Sequence, residues 1–214
     1  MDKQAFLARL PPRDDLPLPQ PPPRPGPPLG DLGAMLLANL QAGGCGTQRV
    51  QGAGPALEAA LTILRQAGAL RAGYSHLGPE MTPLLPAAAR AAGLELIHAP
   101  DGLADAANLI EPLAAGLTAC ELAVAQTGGL VQLAGPGGGR LLSLLPPVHV
   151  ALVHESVVLP DMEALAAVLQ DAARFPQGPP AAALISGPSK TADIEGIMIR
   201  GVHGPGRVEV ILWC

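Results

Sequence analysis

The residues best suited to chemistry lie in two loops. In Gly135-Pro-Gly-Gly-Gly-Arg140, a glycine run follows the apolar stretch Leu130–Leu133 and ends on a cation. Glycine lets a backbone come close to a strand or to a ligand anion. The amides of Gly137, Gly138 and Gly139, with Arg140 beside them, could hold a phosphate or carboxylate. The run fails the dinucleotide pattern, because Arg140 stands at the sixth position, and it lacks the Gly-Lys-Ser/Thr of a P-loop. A tight crossover with Arg140 paired to an acidic residue is the alternative. The second loop, Ser186-Gly-Pro-Ser-Lys-Thr-Ala-Asp-Ile-Glu195, sets hydroxyls beside an ammonium and two carboxylates. Ser189 or Thr191 would cap a following helix with Asp193 in its first turn, leaving Lys190 and Glu195 for a substrate or partner. Both loops are expected to leave strands at one edge. Arg140, Ser186, Ser189, Lys190 and Thr191 would then share an anion, and His203, in the turn Gly201-Val-His-Gly-Pro-Gly206, would close the site.

Other chemistry is less well supported. Cys45, Cys120 and Cys214 are widely spaced and form no Cys-x-x-Cys pair, so neither zinc nor an iron–sulfur cluster is expected on this chain. His76 and His98 have no partner at metal-ligand spacing. His149 and His154 bracket an apolar strand, where a histidine is more often a hydrogen-bonded core residue than a ligand. Glu121 and Gln126 flank Leu-Ala-Val-Ala and fall on opposite faces of a strand, which assigns neither as an acid or base. No Ser-His-Asp or Cys-His set emerges from the order of residues. A formal charge of -5, with no basic cluster and few aromatics, argues against nucleic acid. Sparse cysteines suit a reducing cytoplasm. Residues 1–10 lack the apolar core and cleavage site of a signal peptide, and no apolar run is long enough for a membrane span.

The elements that must position these loops alternate between helix and strand. Ten of the 25 prolines fall between Pro11 and Pro28. Residues 1–28 therefore form an arm, with a short amphipathic helix and a proline-rich tether, ahead of one α/β domain over 29–214. Helices are expected at Asp31–Leu40 with Asp31 as N-cap, at Ala56–Ala67 closed by Gly68, at Leu84–Ala92 closed by Gly93, and at Asp161–Arg174. Strands are expected at Leu94–Ile97, Val148–Val153, Ala181–Ile185 and Val208–Leu212. The continuous apolar run at Val148–Val153 is the mark of a strand covered on both faces. Such alternation means a mainly parallel sheet flanked by helices, with ligands at the carboxyl ends of its strands.

Three segments carry a resemblance. Gly116–Gly128, Gly135–His149 and Ser186–Glu195, with Gly201-Val-His-Gly-Pro205, are together similar to the lactate-utilisation protein C family (LutC/YkgG, the LUD domain). The resemblance implies the fold of the ribose-phosphate isomerase and CoA-transferase (NagB/RpiA/CoA-transferase-like) superfamily. It also implies iron–sulfur partner proteins that together oxidise L-lactate to pyruvate, this chain being the cluster-free member with no cofactor of its own. Where relatives carry Glu-Thr-Gly-Thr, this chain has Gln126-Thr-Gly-Gly129. Gln126 cannot ionise, so no acyl-transfer nucleophile is carried over to that position. A stand-alone enzyme or binding protein for a phosphorylated or acyl small molecule, and a non-catalytic adaptor, stay open as alternatives.

Overall fold

The computed structural model describes residues 30–99, 106–135, 138–171, 173–176, 181–192 and 198–214. The arm over 1–28, with Gly137, Asp193 and Glu195, lies outside them. In chain order the elements are α1 (Leu32–Gly43), β1 (Gly46–Val50), α2 (Ala53–Gln66), β2 (Arg71–Tyr74), α3 (Leu85–Ala92), β3 (Glu95–His98), α4 (Ala106–Ile110), β4 (Ala115–Ala119), β5 (Leu122–Val124) and β6 (Gly129–Leu133). There follow β7 (Val148–His154), a 3₁₀ turn (Glu155–Val157), β8 (Val158–Leu159), α5 (Met162–Gln170), β9 (Ala182–Ile185), β10 (Lys190–Ala192), β11 (Met198–Arg200) and β12 (Arg207–Trp213).

Six strands form one parallel sheet in the order β1-β12-β7-β4-β2-β3. Its central strands are covered on both faces, as their apolar runs require. Val150 and Leu152 of β7, with Ile211 and Trp213 of β12, pack beneath α2 and α3 through Leu57, Leu61, Leu64 and Leu85. Ala151, Val153, Val208, Val210 and Leu212 face the other way, onto Leu36 and Leu40 of α1. On that side lies a second sheet, β8-β5-β6-β9, whose outer face packs against Leu165 of α5. Burial of these side chains drives the layering, at roughly 1.5–3 kcal/mol for each fully buried Leu, Ile or Val.

The helix ends follow local chemistry. Asp31 Oδ1 accepts from Ala34 N–H at 2.9 Å, and Asp161 Oδ1 accepts from Ala164 N–H at 2.8 Å. Gly68 and Gly93 adopt the left-handed backbone expected of them, with φ of 75° and 66°.

Five expectations are corrected. The last helix stops at Gln170 rather than Arg174, because Asp171 turns extended and its carboxylate accepts from Ala173 N–H instead. Strands β1, β2 and β4, with Gly46, Gly73 and Gly116 and the charged Arg49 and Arg71, show little apolar alternation and were not anticipated. The strand between Glu121 and Gln126 has only three residues, and Gln126 lies in the turn beyond it, so the argument from opposite faces does not apply. Lys190–Ala192 is a strand paired antiparallel with β11, so neither Ser189 nor Thr191 caps a helix. Ser189 N–H instead donates to Pro205 O, and Gly201 N–H to Ser189 O, continuing a ladder. Finally, β9 is the edge of the second sheet and runs antiparallel to β6, with Leu133 opposite Ala182 and Leu130 opposite Ile185. The glycine loop after β6 and the Ser186 loop after β9 therefore leave opposite ends of the paired strands.

Candidate functional site

In an open parallel sheet, a crevice forms where chains leaving neighbouring strands part to opposite faces. Here that happens between β2 and β4. The chain leaving β2 runs to α3 on one face, and the chain leaving β4 runs into the second sheet on the other. A cavity of about 400 Å³ lies at this point, along the carboxyl ends of β2, β4, β7 and β12. His76 and Glu121 project from the loops after β2 and β4, His154 ends β7, Trp213 ends β12, and Gly135 and Gly138 of the glycine loop close one side.

Two of the cavity's polar groups are held by their neighbours. Glu121 Oε2 accepts from Leu133 N–H at 3.1 Å. His154 Nδ1 accepts from Ser156 N–H at 3.2 Å, and its ring meets Trp213 edge to face at 4.4 Å. Ser156 Oγ lies 2.6 Å from the same nitrogen, so Nδ1 is engaged by the turn and, among the described residues, Nε2 is the ring nitrogen left to meet a ligand. Cys120 also lines the cavity, but burial, reinforced by the Glu121 charge, pushes its thiol up to about 12 and leaves it a poor nucleophile. Among the described residues no group of three or more His, Cys, Asp or Glu could hold a metal ion, and no helix is long and apolar enough to cross a membrane.

The anticipated residues divide between places. Gly138 lines the carboxyl-edge cavity. A Cβ on Gly139 would stand 2.6 Å from Thr118 Cγ2 and 2.7 Å from Ser75 Oγ, so the absence of a side chain lets this loop lie on the sheet. The next residues continue that contact, with the Leu142 carbonyl lying over Gly116. Arg140 is half-buried and lines neither this cavity nor the next. Ser186, Ser189, Lys190 and His203 meet around a second cavity of about 520 Å³, with Ser143 and Leu144. There Lys190 Nζ donates to Gly43 O at 2.5 Å, placing its charge at the carbonyl end of α1, and Ser189 Oγ accepts from His203 N–H at 3.3 Å. Thr191 lies in β10. Gln126 is exposed, in a turn tied to α1 by Asn39 Nδ2, which donates to Ala125 O and Gln126 O.

Sequence reasoning passed over His76, Glu121, His154 and Trp213 as members of one site. Their shared signal is position, since each ends a parallel strand or follows it within two residues. It could be read only once β2 and β4 were recognised as strands.

The LUD domain family model matches residues 35–213. The chain belongs to the LUD domain family. It is 43% identical over 101 residues to a protein of Exiguobacterium sp. named Lactate utilization protein C, covering 45% of this chain and 43% of that one. A Bacillus subtilis protein of the same name is 37% identical over 98 residues, covering 45% of this chain and 41% of its own. An Escherichia coli protein named Uncharacterized protein YkgG is 40% identical over 91 residues, covering 42% and 39%. The matched part is thus less than half the length of each of these relatives. A crystal structure of a DUF162 family protein from Deinococcus radiodurans superposes with a TM-score of 0.60 at 22% identity, covering 87% of this chain and all of that one. This LUD chain thus has the α/β fold, with a mainly parallel sheet flanked by helices, that its sequence implies.

Proposed function

We propose that this LUD-domain chain serves lactate utilisation as the cluster-free subunit of an iron–sulfur assembly that oxidises L-lactate to pyruvate, and that the carboxyl-edge cavity is its ligand site. The observation that carries this reading is the 43% identity over 101 residues to a protein named for lactate utilisation. Three free, scattered cysteines fit a subunit whose partners hold the clusters. His154, His76 and Glu121 supply hydrogen-bonding groups, and Leu77, Leu152 and Trp213 supply apolar walls, the mixture small-molecule sites use.

The test is genetic and biochemical together. In a host with no other lactate oxidase, deletion of the gene is expected to abolish growth on L-lactate, and the native chain, isolated under anaerobic conditions, is expected to bring iron–sulfur proteins with it. Undiminished growth on lactate after deletion would overturn the reading. A second reading, a stand-alone protein for an acyl or phosphorylated small molecule, is favoured by cavity size, since about 400 Å³ is far more than a three-carbon acid fills. Turnover of such a compound by the purified chain, with lactate growth unaffected by the deletion, would select it.

A further inference from the structure

The second cavity is assembled at the opposite edge of the parallel sheet from the first. Gly43 comes just before β1, Ser143 and Leu144 before β7, and Gly204 and Pro205 before β12, and these strands are neighbours in the order β1-β12-β7. The loop between β9 and β10 closes the remaining side with Ser186, Ser189 and Lys190. These segments, distant in the chain, are locked to one another. A Cβ on Gly43 would stand 2.6 Å from Ser186 O, and one on Gly187 would stand 2.8 Å from Gly43 O, so helix end and loop meet backbone to backbone. Ser189 N–H donates to Pro205 O at 2.8 Å, and Gly201 N–H donates to Ser189 O at 3.0 Å. Lys190 Nζ is in turn bonded to Gly43 O, which fixes its place in the wall.

Packing leaves two features of this wall without a reason. Capping the carbonyl end of α1 occupies one of the three ammonium hydrogens of Lys190, and among the described residues no other group takes the remaining two. The Ser189 hydroxyl accepts from His203 N–H and keeps its own hydrogen to give. Leu144 and Leu184, on the same walls, are each 49% exposed although both are large and apolar. Apolar surface gathered around a few convergent donors is the composition of a small-molecule site. Charge narrows the ligand further. Among the described residues, this cavity is lined by Lys190 and by no Asp or Glu, whereas the carboxyl-edge cavity is lined by Glu121 and by no Lys or Arg. A cation with hydrogens to give, and no carboxylate beside it, complements an oxyanion.

We propose that this amino-edge cavity is a second ligand site, for a small organic anion whose carboxylate or phosphate meets Lys190 and the Ser189 hydroxyl while its apolar part lies against Leu144 and Leu184. A volume of about 520 Å³ leaves room for such a body behind the head group. Arg140, which lines neither cavity, takes no part. The two cavities share no lining residue, so this site stands or falls independently of the ligand-site reading of the carboxyl-edge cavity.

The test uses the native full-length chain labelled with ¹⁵N and three probes of one body: hexanoate, hexyl phosphate and the neutral hexanol. Amide signals of Ser189, Lys190 and Gly204 follow this cavity, and the Trp213 indole signal follows the other. At least one anion is expected to shift the first set and to bind about tenfold more tightly than hexanol, or better. Binding of hexanoate alone assigns the head group as a carboxylate, and binding of hexyl phosphate alone assigns it as a phosphate. Lys190→Gln keeps a donor for Gly43 O and loses the charge, and it is expected to weaken the bound anion about tenfold or more. Unchanged affinity in that variant reduces Lys190 to a helix cap and overturns the proposal. Should Lys190→Gln fail to fold, Ser186→Asp decides instead, because it sets a carboxylate on the exposed rim and is expected to weaken the anion, with unchanged affinity again overturning the proposal. Equal binding of hexanol and both anions, shifts confined to Trp213, or no shift with any probe at millimolar concentration overturns it as well.

Discussion

His149 is carried into the interior by β7, a central strand with no face open to water, so the ring must find its partners inside. One nitrogen is met by Thr118, and the other has no partner among the described residues. Desolvation penalises the charged ring and holds its pKa near 4, below the ordinary 6.5 of histidine. Below pH 6.5 the unfolded chain takes up a proton that the folded chain refuses until about pH 4. The contribution of this residue is therefore complete above pH 6.5 and is lost as pH falls toward 4. Between pH 7 and pH 5 that loss amounts to about 2 kcal/mol. Urea unfolding at the two values is expected to show this drop for the native chain and a flatter dependence for His149→Asn. An equal drop in the variant would assign the pH dependence to other groups.

At the scale of elements, the glycine loop acts as a packing device with one side facing the cavity. Gly139 abuts Thr118 and Ser75, and Gly116 of β4 lies under the Leu142 carbonyl, where an added Cβ would stand 2.2 Å away. Gly135 has nothing within 4 Å of that position. Gly116→Ala and Gly139→Ala are expected to cost about 1–3 kcal/mol each through overpacking. Gly135→Ala is expected to stay within about 0.5 kcal/mol. Thermal unfolding of the three variants checks this, and equal effects would mean that the loop adjusts freely.

The same contrast explains what could be read in advance. Val148–Val153 and the capped helices α1, α2 and α3 were legible because apolar period and end signals agree there. Strands β1, β2 and β4 were not, because their glycines answer to neighbours distant in the chain, as Gly46 does to the Glu209 side chain on β12. With those strands unseen, the site at their carboxyl ends could not be assembled. Lys190 and His203 line one cavity, whereas Arg140 does not, and the expected partnership of Lys190 with Arg140 depended on a strand direction that no local pattern encodes.

For the molecule as a whole, the question is where the folded unit begins. Asp31 is engaged three ways: its Oδ1 caps α1, its Oδ2 pairs with Arg49 of β1, and through Arg49 it is linked to Glu155 in the turn after β7. These contacts tie the start of α1 to the carboxyl edge of the parallel sheet. The family match begins just beyond, at residue 35. Upstream, ten prolines in 11–28 leave few backbone donors and few apolar side chains for helix, sheet or core. A chain beginning at Gly30 is therefore expected to unfold as cooperatively as the full chain, with Tm within about 2 °C. A chain beginning at Gly33, which loses the cap and the pairing with Arg49, is expected to melt several degrees lower. Scanning calorimetry of the three chains decides it. Loss of cooperativity in the chain from Gly30 would mean that the arm is part of the fold, and equal melting of the chains from Gly30 and Gly33 would mean that Asp31 anchors nothing.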